Sequence, residues 1–312
     1  MKRLTQTSID FEEQPNCLMP EPTAIPIIST GFKDLDGLTG GMRPGELITV
    51  AGRPSLGKTS FLLNLAYHAA VDQLMPTAIF CLELESTEVA ERLLTLDTFD
   101  GSDGRDRLRG ARPVLRYPEG LDDEQWALLT KSYEQLSHAP IYLDHEYPLH
   151  ILALADKARE LVKYYGIKLL LIDYLQLLSG HFGVLRHISH VRDVMRRLKA
   201  LAGELELTIV LASQLGRRIE LRFDRRPKLQ DLRSANAIIE HADVILLLHR
   251  VDEDYERRYT ADYHKRQSQL TEMELIVAQN KHGLTGSIKL MFYREIMRFL
   301  PSWTGYSAGS AQ

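Results

Sequence analysis

Gly52-Arg53-Pro54-Ser55-Leu56-Gly57-Lys58-Thr59 fits the pattern G-x-x-x-x-G-K-[ST], with Ser60 directly after it. The preceding run Leu47-Ile48-Thr49-Val50-Ala51 reads as a buried strand. After the glycine loop, Phe61, Leu62, Leu65, Ala66 and Ala69 recur at helical spacing. Strand, tight loop and helix in that order aim successive backbone N–H groups and a helix N-terminus at one place, where a triphosphate can sit. Gly52, Arg53, Pro54, Ser55, Leu56, Gly57, Lys58, Thr59 and Ser60 are therefore the candidate nucleotide-binding residues. Lys58 is placed to reach the β- and γ-phosphates and the Thr59 hydroxyl to hold Mg2+. An incidental glycine loop is the competing reading, and the strand–loop–helix context argues against it. The chain is expected to act on a nucleoside triphosphate.

Working outward, short apolar runs alternate with helical patterns from Ser29 onward, the mark of an α/β fold with a mostly parallel sheet covered by helices. Strands are expected over 47–51, 77–82, 141–143, 169–172, 209–212 and 244–248. Two later runs, 272–278 and 287–293, flank Gly283 and Gly286 and read as a C-terminal hairpin. The clearest helix is His187–Leu205, with Ile188, Val191, Met195, Leu198, Ala202 and Leu205 on one stripe. Its other faces carry Arg192, Arg196, Arg197 and Lys199, either a solvated basic face or a functional one. Pro15, Pro20, Pro22 and Pro26 mark residues 1–28 as an extended arm, and 307–312 is a small polar tail.

At 312 residues the chain can bury one large α/β domain, here expected over 29–306. A net charge of −4 excludes a uniformly basic nucleic-acid coat, so any such contact must be local. Cys17 and Cys81 have no metal-ligand spacing and imply no disulfide framework, which suits a reducing cytoplasm. With neither a signal-like N-terminus nor a membrane-length apolar run, a soluble cytoplasmic protein is expected.

Other residues extend the chemistry. Leu169-Leu170-Leu171-Ile172-Asp173 is an apolar run ending in an acid, suited to holding Mg2+ or its water shell beside the glycine loop. Glu83 follows the second strand in the same way and is placed to deprotonate the attacking water; a plain surface carboxylate is the competing reading. Gln214 follows the strand over 209–212 and either reports on the γ-phosphate or closes a turn. In 216–228, six basic residues (Arg217, Arg218, Arg222, Arg225, Arg226 and Lys228) stand against Glu220 and Asp224. Arginines near Phe223 suit the phosphates of a single strand; a solvated loop is the alternative. The cluster Arg105, Arg107, Arg109, Arg112 and Arg116 has no motif around it and receives no role.

Taken in order, several segments resemble the motor domain of the DnaB-type replicative helicases. They include Gly31-Phe32-Lys33-Asp34-Leu35-Asp36, the glycine loop, Leu82-Glu83-Leu84 and Ile172-Asp173-Tyr174-Leu175-Gln176-Leu177. Leu198-Lys199-Ala200-Leu201-Ala202, Ser213-Gln214-Leu215, Arg225-Arg226-Pro227, Asp231-Leu232-Arg233-Ser234 and Ile239-Glu240-His241-Ala242-Asp243 continue the likeness. The resemblance implies a RecA-like P-loop ATPase core, ATP with Mg2+, and a hexameric homo-oligomeric ring around single-stranded DNA, served by a loader or other replication proteins. It makes Glu83 the catalytic glutamate, Asp173 the metal-associated acid, Gln214 the γ-phosphate sensor and 216–228 the DNA-facing loop.

Two departures qualify it. The family's helical N-terminal domain is not matched, so the arm over 1–28 is expected to pack on a neighbouring subunit. The family's hairpin places a lysine, then two residues later an arginine, into the next subunit's site. Here those positions are Gln279 and Lys281. Lysine lacks the planar fork of arginine, so slow hydrolysis with Lys281 acting in trans is expected. The resemblance implies an ATP-dependent DNA helicase. The alternative is a RecA-like ATP-binding protein that assembles on DNA as a recruiter, switch or repair factor without robust unwinding.

Overall fold

The computed structural model of the protein describes residues 2–3, 26–98, 122–179, 187–251 and 270–302. In chain order the main elements are β1 (Lys2–Arg3), α1 (Lys33–Thr39), β2 (Leu47–Gly52), α2 (Lys58–Tyr67), β3 (Thr77–Cys81) and α3 (Ser86–Asp97). Then come α4 (Asp123–His138), β4 (Ile141–Asp144), β5 (Leu149–His150), α5 (Ile151–Tyr165), β6 (Leu169–Asp173) and β7 (Leu178–Ser179). The last third adds α6 (His187–Leu205), β8 (Thr208–Gln214), α7 (Ala235–His241), β9 (Val244–Arg250), β10 (Leu270–Asn280), β11 (Gly286–Tyr293) and β12 (Arg298–Pro301).

Among the described residues, ten strands form one sheet in the order β1-β4-β3-β6-β8-β2-β9-β10-β11-β12. From β4 through β9 the pairing is parallel. The strands read as continuous apolar runs because both sheet faces are covered. In β6, Leu169 and Leu171 enter one core and Leu170 and Ile172 the other. The first core holds Phe61, Leu65, Leu93 and Leu136 from α2, α3 and α4. The second holds Leu154, Leu161, Val194, Leu198 and Ile238 from α5, α6 and α7.

The expected hairpin is β10–β11, with Val277 opposite Gly286, and it extends the sheet antiparallel from β9. β12, which the sequence did not suggest, adds one more strand beyond it. On α6, Val191, Met195, Leu198 and Ala202 are buried as the stripe requires. The basic residues of α6 are engaged within the chain. Arg196 and Arg197 pair with Asp193, Arg192 pairs with Glu240, and Lys199 reaches Asp243 at 2.7 Å.

Ile28, assigned to the arm by its proline-rich context, is buried and exchanges backbone hydrogen bonds with Met42 at 2.9 and 2.8 Å. Gly41 makes this possible, because a Cβ there would lie 2.7 Å from Ile27 Cγ2 and 3.0 Å from the Ile28 carbonyl oxygen. Residues 2–3 pair with β4 of their own chain. The rest of the arm up to residue 25, the basic cluster of Arg105 to Arg116 and the tail over 307–312 lie outside the described residues. Among the described residues no helix is long and apolar enough to cross a membrane.

Candidate functional site

β2 delivers the chain to Gly52 at the C-terminal edge of the sheet, and α2 starts at Lys58. The turn between them closes on Gly57, whose φ of 88° is left-handed. A Cβ at Gly57 would also lie 3.1 Å from the Phe292 ring and 3.3 Å from the Phe299 ring, so the position is sterically closed as well. The first-turn N–H groups of α2 have no intrahelical acceptor and form a ready anion site. Lys58 is buried, and its ammonium donates to the Arg53 carbonyl at 2.9 Å.

Three neighbouring strands bring the acids and the amide to this loop. Asp173 ends β6 and accepts a 2.6 Å hydrogen bond from the Thr59 hydroxyl. Burial raises the Asp173 carboxyl above its usual range, and the Thr59 hydrogen bond opposes that shift. Burial pushes the Lys58 ammonium down, opposed by Asp173 and Glu83. Glu83 stands exposed two residues beyond β3, and the Leu82 N–H holds its segment to the Asp173 carbonyl at 2.8 Å. Gln214 ends β8 directly opposite Gly52 and hydrogen-bonds the Tyr174 hydroxyl.

Lys58, Thr59, Glu83, Asp173 and Gln214 line one cavity of about 560 Å³, together with Pro54, Ser55, Gly57 and Ser60. Gly52, Arg53 and Leu56 are outside its lining. Leu56 is buried in the core, and Gly52 packs where a Cβ would meet Leu248 at 3.3 Å. Arg53 faces Glu220 at 3.8 Å. Arg92, Tyr174, Phe292, Arg294 and Met297 also line the cavity; of these only Tyr174 stood in a motif the sequence singled out, and none was assigned to the site. They arrive from the α3 face, the end of β6, β11 and the β11–β12 turn, which only the fold brings together.

The donor set suits Mg2+. Among the described residues no group of three His, Cys, Asp or Glu side chains is placed to hold a metal. The Thr59 hydroxyl and Asp173 carboxylate supply hard oxygen donors, and Mg2+ ordinarily completes its shell with water and phosphate oxygens.

The basic loop leaves β8 at Gln214 and forms a 3-10 turn over Arg217–Leu221. Much of its charge is spent internally. Arg222 donates to the Asp231 carboxylate at 2.7 Å, Arg226 forks onto Glu274 at 2.9 and 2.8 Å, and Lys228 lies 3.9 Å from Asp224. Arg225 is half-buried and reaches the Glu220 carbonyl at 3.4 Å. Arg218 is exposed and has no ion pair among the described residues, while the Arg217 side chain lies outside the described residues.

Lys281 and Gln279 sit at the other end of the sheet. Asn280 pairs with Val244 at the start of β9, which is level with Ile48 rather than with Gly52. Lys281 donates to the Glu240 carbonyl at 3.2 Å and lies 3.8 Å from Asp243, away from its own chain's cavity. The Gln279 amide donates to the carbonyls of Ile239 at 3.1 Å and Ala242 at 2.8 Å, which caps the C-terminal end of α7.

A family model described as the DnaB-like helicase C terminal domain matches residues 27–301. The chain belongs to that family. The replicative DNA helicase DnaB of Leifsonia xyli is 34% identical over 273 residues, covering 87% of this chain and 55% of the relative. That of Geobacillus stearothermophilus is 34% identical over 281 residues, covering 90% and 57%. The chain thus spans little more than half the length of these relatives.

Two solved structures share the fold. The ATPase domain of G40P superposes with a TM-score of 0.77 at 26% identity, covering 89% of this chain and 92% of that one. A DnaB-like replicative helicase, solved to describe its interactions with primase, gives 0.76 at 27% identity, covering 89% and 62%. The α/β architecture with a mostly parallel sheet, expected from the alternating elements and made RecA-like by the family resemblance, is shared with these neighbours.

Proposed function

We propose that the chain is the ATP-hydrolysing motor of a DnaB-type DNA helicase, working in a homo-oligomeric, hexameric ring on single-stranded DNA. The convergence of Lys58, Thr59, Asp173, Glu83 and Gln214 on one cavity at the C-terminal edge of a parallel sheet carries this reading. The N–H groups of the glycine loop and the Lys58 ammonium bind the β- and γ-phosphates. Mg2+ held by Thr59 and Asp173 would neutralise developing charge on the bridging phosphate oxygens. Glu83 takes a proton from water as its oxygen attacks the γ-phosphorus, the bond from phosphorus to the β-phosphate oxygen breaks, and ADP leaves. Gln214 at the end of β8 links the γ-phosphate to the loop that follows. The trans contribution comes from a neighbour's Lys281, because this residue lies at the wrong end of the sheet to serve its own site.

One observation favours the second reading, an ATP-gated assembly on DNA without robust unwinding. Gln279 is engaged as a helix cap and brings no positive charge to a neighbouring site. Forked-duplex unwinding with ATP, comparing the wild type with Lys58→Ala and Glu83→Gln, separates the two. Unwinding that both substitutions abolish supports the motor; single-strand-stimulated hydrolysis with no unwinding by the wild type supports the second reading.

A further inference from the structure

Lys281 lies just beyond β10, and its charge must be aimed by its surroundings, because a lysine stem is flexible and has no rigid fork. The backbone there is fixed first. Gln279 bonds the Ile239 and Ala242 carbonyls, and the Lys281 N–H donates to the Asp243 carbonyl at 2.9 Å. The end of β10 is thereby docked on the junction of α7 and β9. That junction also steers the side chain. The Lys281 ammonium meets the Glu240 carbonyl in the last turn of α7 at 3.2 Å and the Asp243 carboxylate at 3.8 Å.

Asp243 is itself held in place. It is 2% exposed, and its Oδ2 accepts from the Leu47 N–H at 2.8 Å and from the Lys199 ammonium at 2.7 Å. Lys199 also donates to the Gly45 carbonyl at 2.8 Å, which ties α6 to the same place. Lys281 faces the other carboxylate oxygen, Oδ1. One buried carboxylate thus serves two ammonium groups. Lys199 takes the close contact, and Lys281 stands farther off than the roughly 2.7–2.9 Å of a charged hydrogen bond. A cation held so is pointed without being captured. The Lys281 side chain is partly exposed, so the pair adds little stability, and its main consequence is direction. We propose that Asp243 is a positioning residue for hydrolysis in trans. It aims the Lys281 ammonium toward the neighbouring subunit's γ-phosphate, and Lys199 keeps the carboxylate in place. This rests on the trans reading of Lys281 given above and assigns no contact between Asp243 and the nucleotide.

Mixed oligomers of the full chain test it, since a residue acting through Lys281 fails at its neighbour's site and not at its own. In Asp243→Asn the amide oxygen can still accept from Leu47 and Lys199, so the charge goes while these bonds are kept. The kcat of DNA-stimulated ATP hydrolysis should fall between about tenfold and 100-fold, the cost of a misplaced group, with KM for ATP unchanged. Adding Asp243→Asn to Lys281→Ala should cost nothing further. Mixing Asp243→Asn subunits with Lys58→Ala subunits should restore activity, and mixing them with Lys281→Ala subunits should not. Lys199→Gln loosens the carboxylate without removing it, and should show the same mixing pattern with a loss of about threefold. That variant decides alone if Asp243→Asn does not fold. Suppose Lys58→Ala subunits restore Lys281→Ala but neither Asp243→Asn nor Lys199→Gln; the positioning role is then overturned and the trans reading stands. Additive losses in the double variant overturn it as well. If Lys281→Ala itself is not restored, the trans reading falls and the inference with it.

Discussion

The Thr59 hydroxyl donates a 2.6 Å hydrogen bond to the Asp173 carboxylate, joining the first turn of α2 to the end of β6 across 114 residues of sequence. This bond fixes both oxygen donors of the proposed Mg2+ site on rigid elements. Thr59→Val keeps the side-chain shape and removes the donor. It should erase the gain in ATP affinity that Mg2+ gives the wild type, measured by calorimetry with and without the ion, and lower hydrolysis by at least about 100-fold. An undiminished Mg2+ effect would place the metal elsewhere.

The Arg53–Glu220 pair is a direct tie between the glycine loop and the loop after β8. Glu220 is nearly half exposed, so the tie is weak in energy, and its effect should appear in coupling rather than in folding. In Glu220→Gln, stimulation of hydrolysis by a single strand should fall about threefold while hydrolysis without DNA stays at the wild-type rate. Steady-state ATPase with and without oligo-dT reads this out, and full stimulation in the variant would rule the tie out as a relay.

Arg226, expected at the DNA surface, also forks onto Glu274, which gives it a folding role. The Arg226 guanidinium holds the Glu274 carboxyl below its ordinary value of 4.5. A depressed carboxyl stabilises the fold fully above the unfolded value, and that contribution disappears as pH falls through the folded one. Arg226→Ala should therefore cost about 1 kcal/mol at neutral pH, a modest figure because the pair is partly exposed. The difference from wild type should shrink steadily below about pH 4.5 in denaturant titrations. A constant difference across that range would mean the loss comes from packing alone.

Gln279, near the end of β10, and Lys281, just beyond that strand, are predicted to fail differently. Gln279→Ala uncaps α7 and should lower stability by about 1 kcal/mol, seen as a lower Tm. Lys281→Ala should leave Tm unchanged and depress DNA-stimulated hydrolysis. Mixing Lys281→Ala subunits with Lys58→Ala subunits should restore activity, because some interfaces then pair an intact glycine loop with an intact Lys281. Failure of mixing to restore any activity would argue against a role in trans.

Local features of the sequence carried most of this. The glycine loop, the apolar runs of β2, β6, β8 and β9 and the stripe on α6 each follow from neighbours in the chain, so their signals survive without the fold. What was illegible depends on distant pairing. The charge of Arg226 is matched by Glu274, 48 residues later, and Gln279 meets carbonyls 40 and 37 residues earlier. The lining residues Arg92, Tyr174, Phe292, Arg294 and Met297 follow no common spacing because four different segments supply them. β12 is short and follows a tight turn, and its place is set by pairing with β11 rather than by periodicity.

ATP turnover by Glu83→Gln probes the assignment of the site most directly. The substitution removes a base and leaves the glycine loop, Thr59 and Asp173 intact. ATP affinity should stay within about threefold of wild type, while single-turnover hydrolysis on single-stranded DNA falls by roughly 10²- to 10⁴-fold. Hydrolysis at the wild-type rate, with ATP bound normally, would contradict the site as assigned.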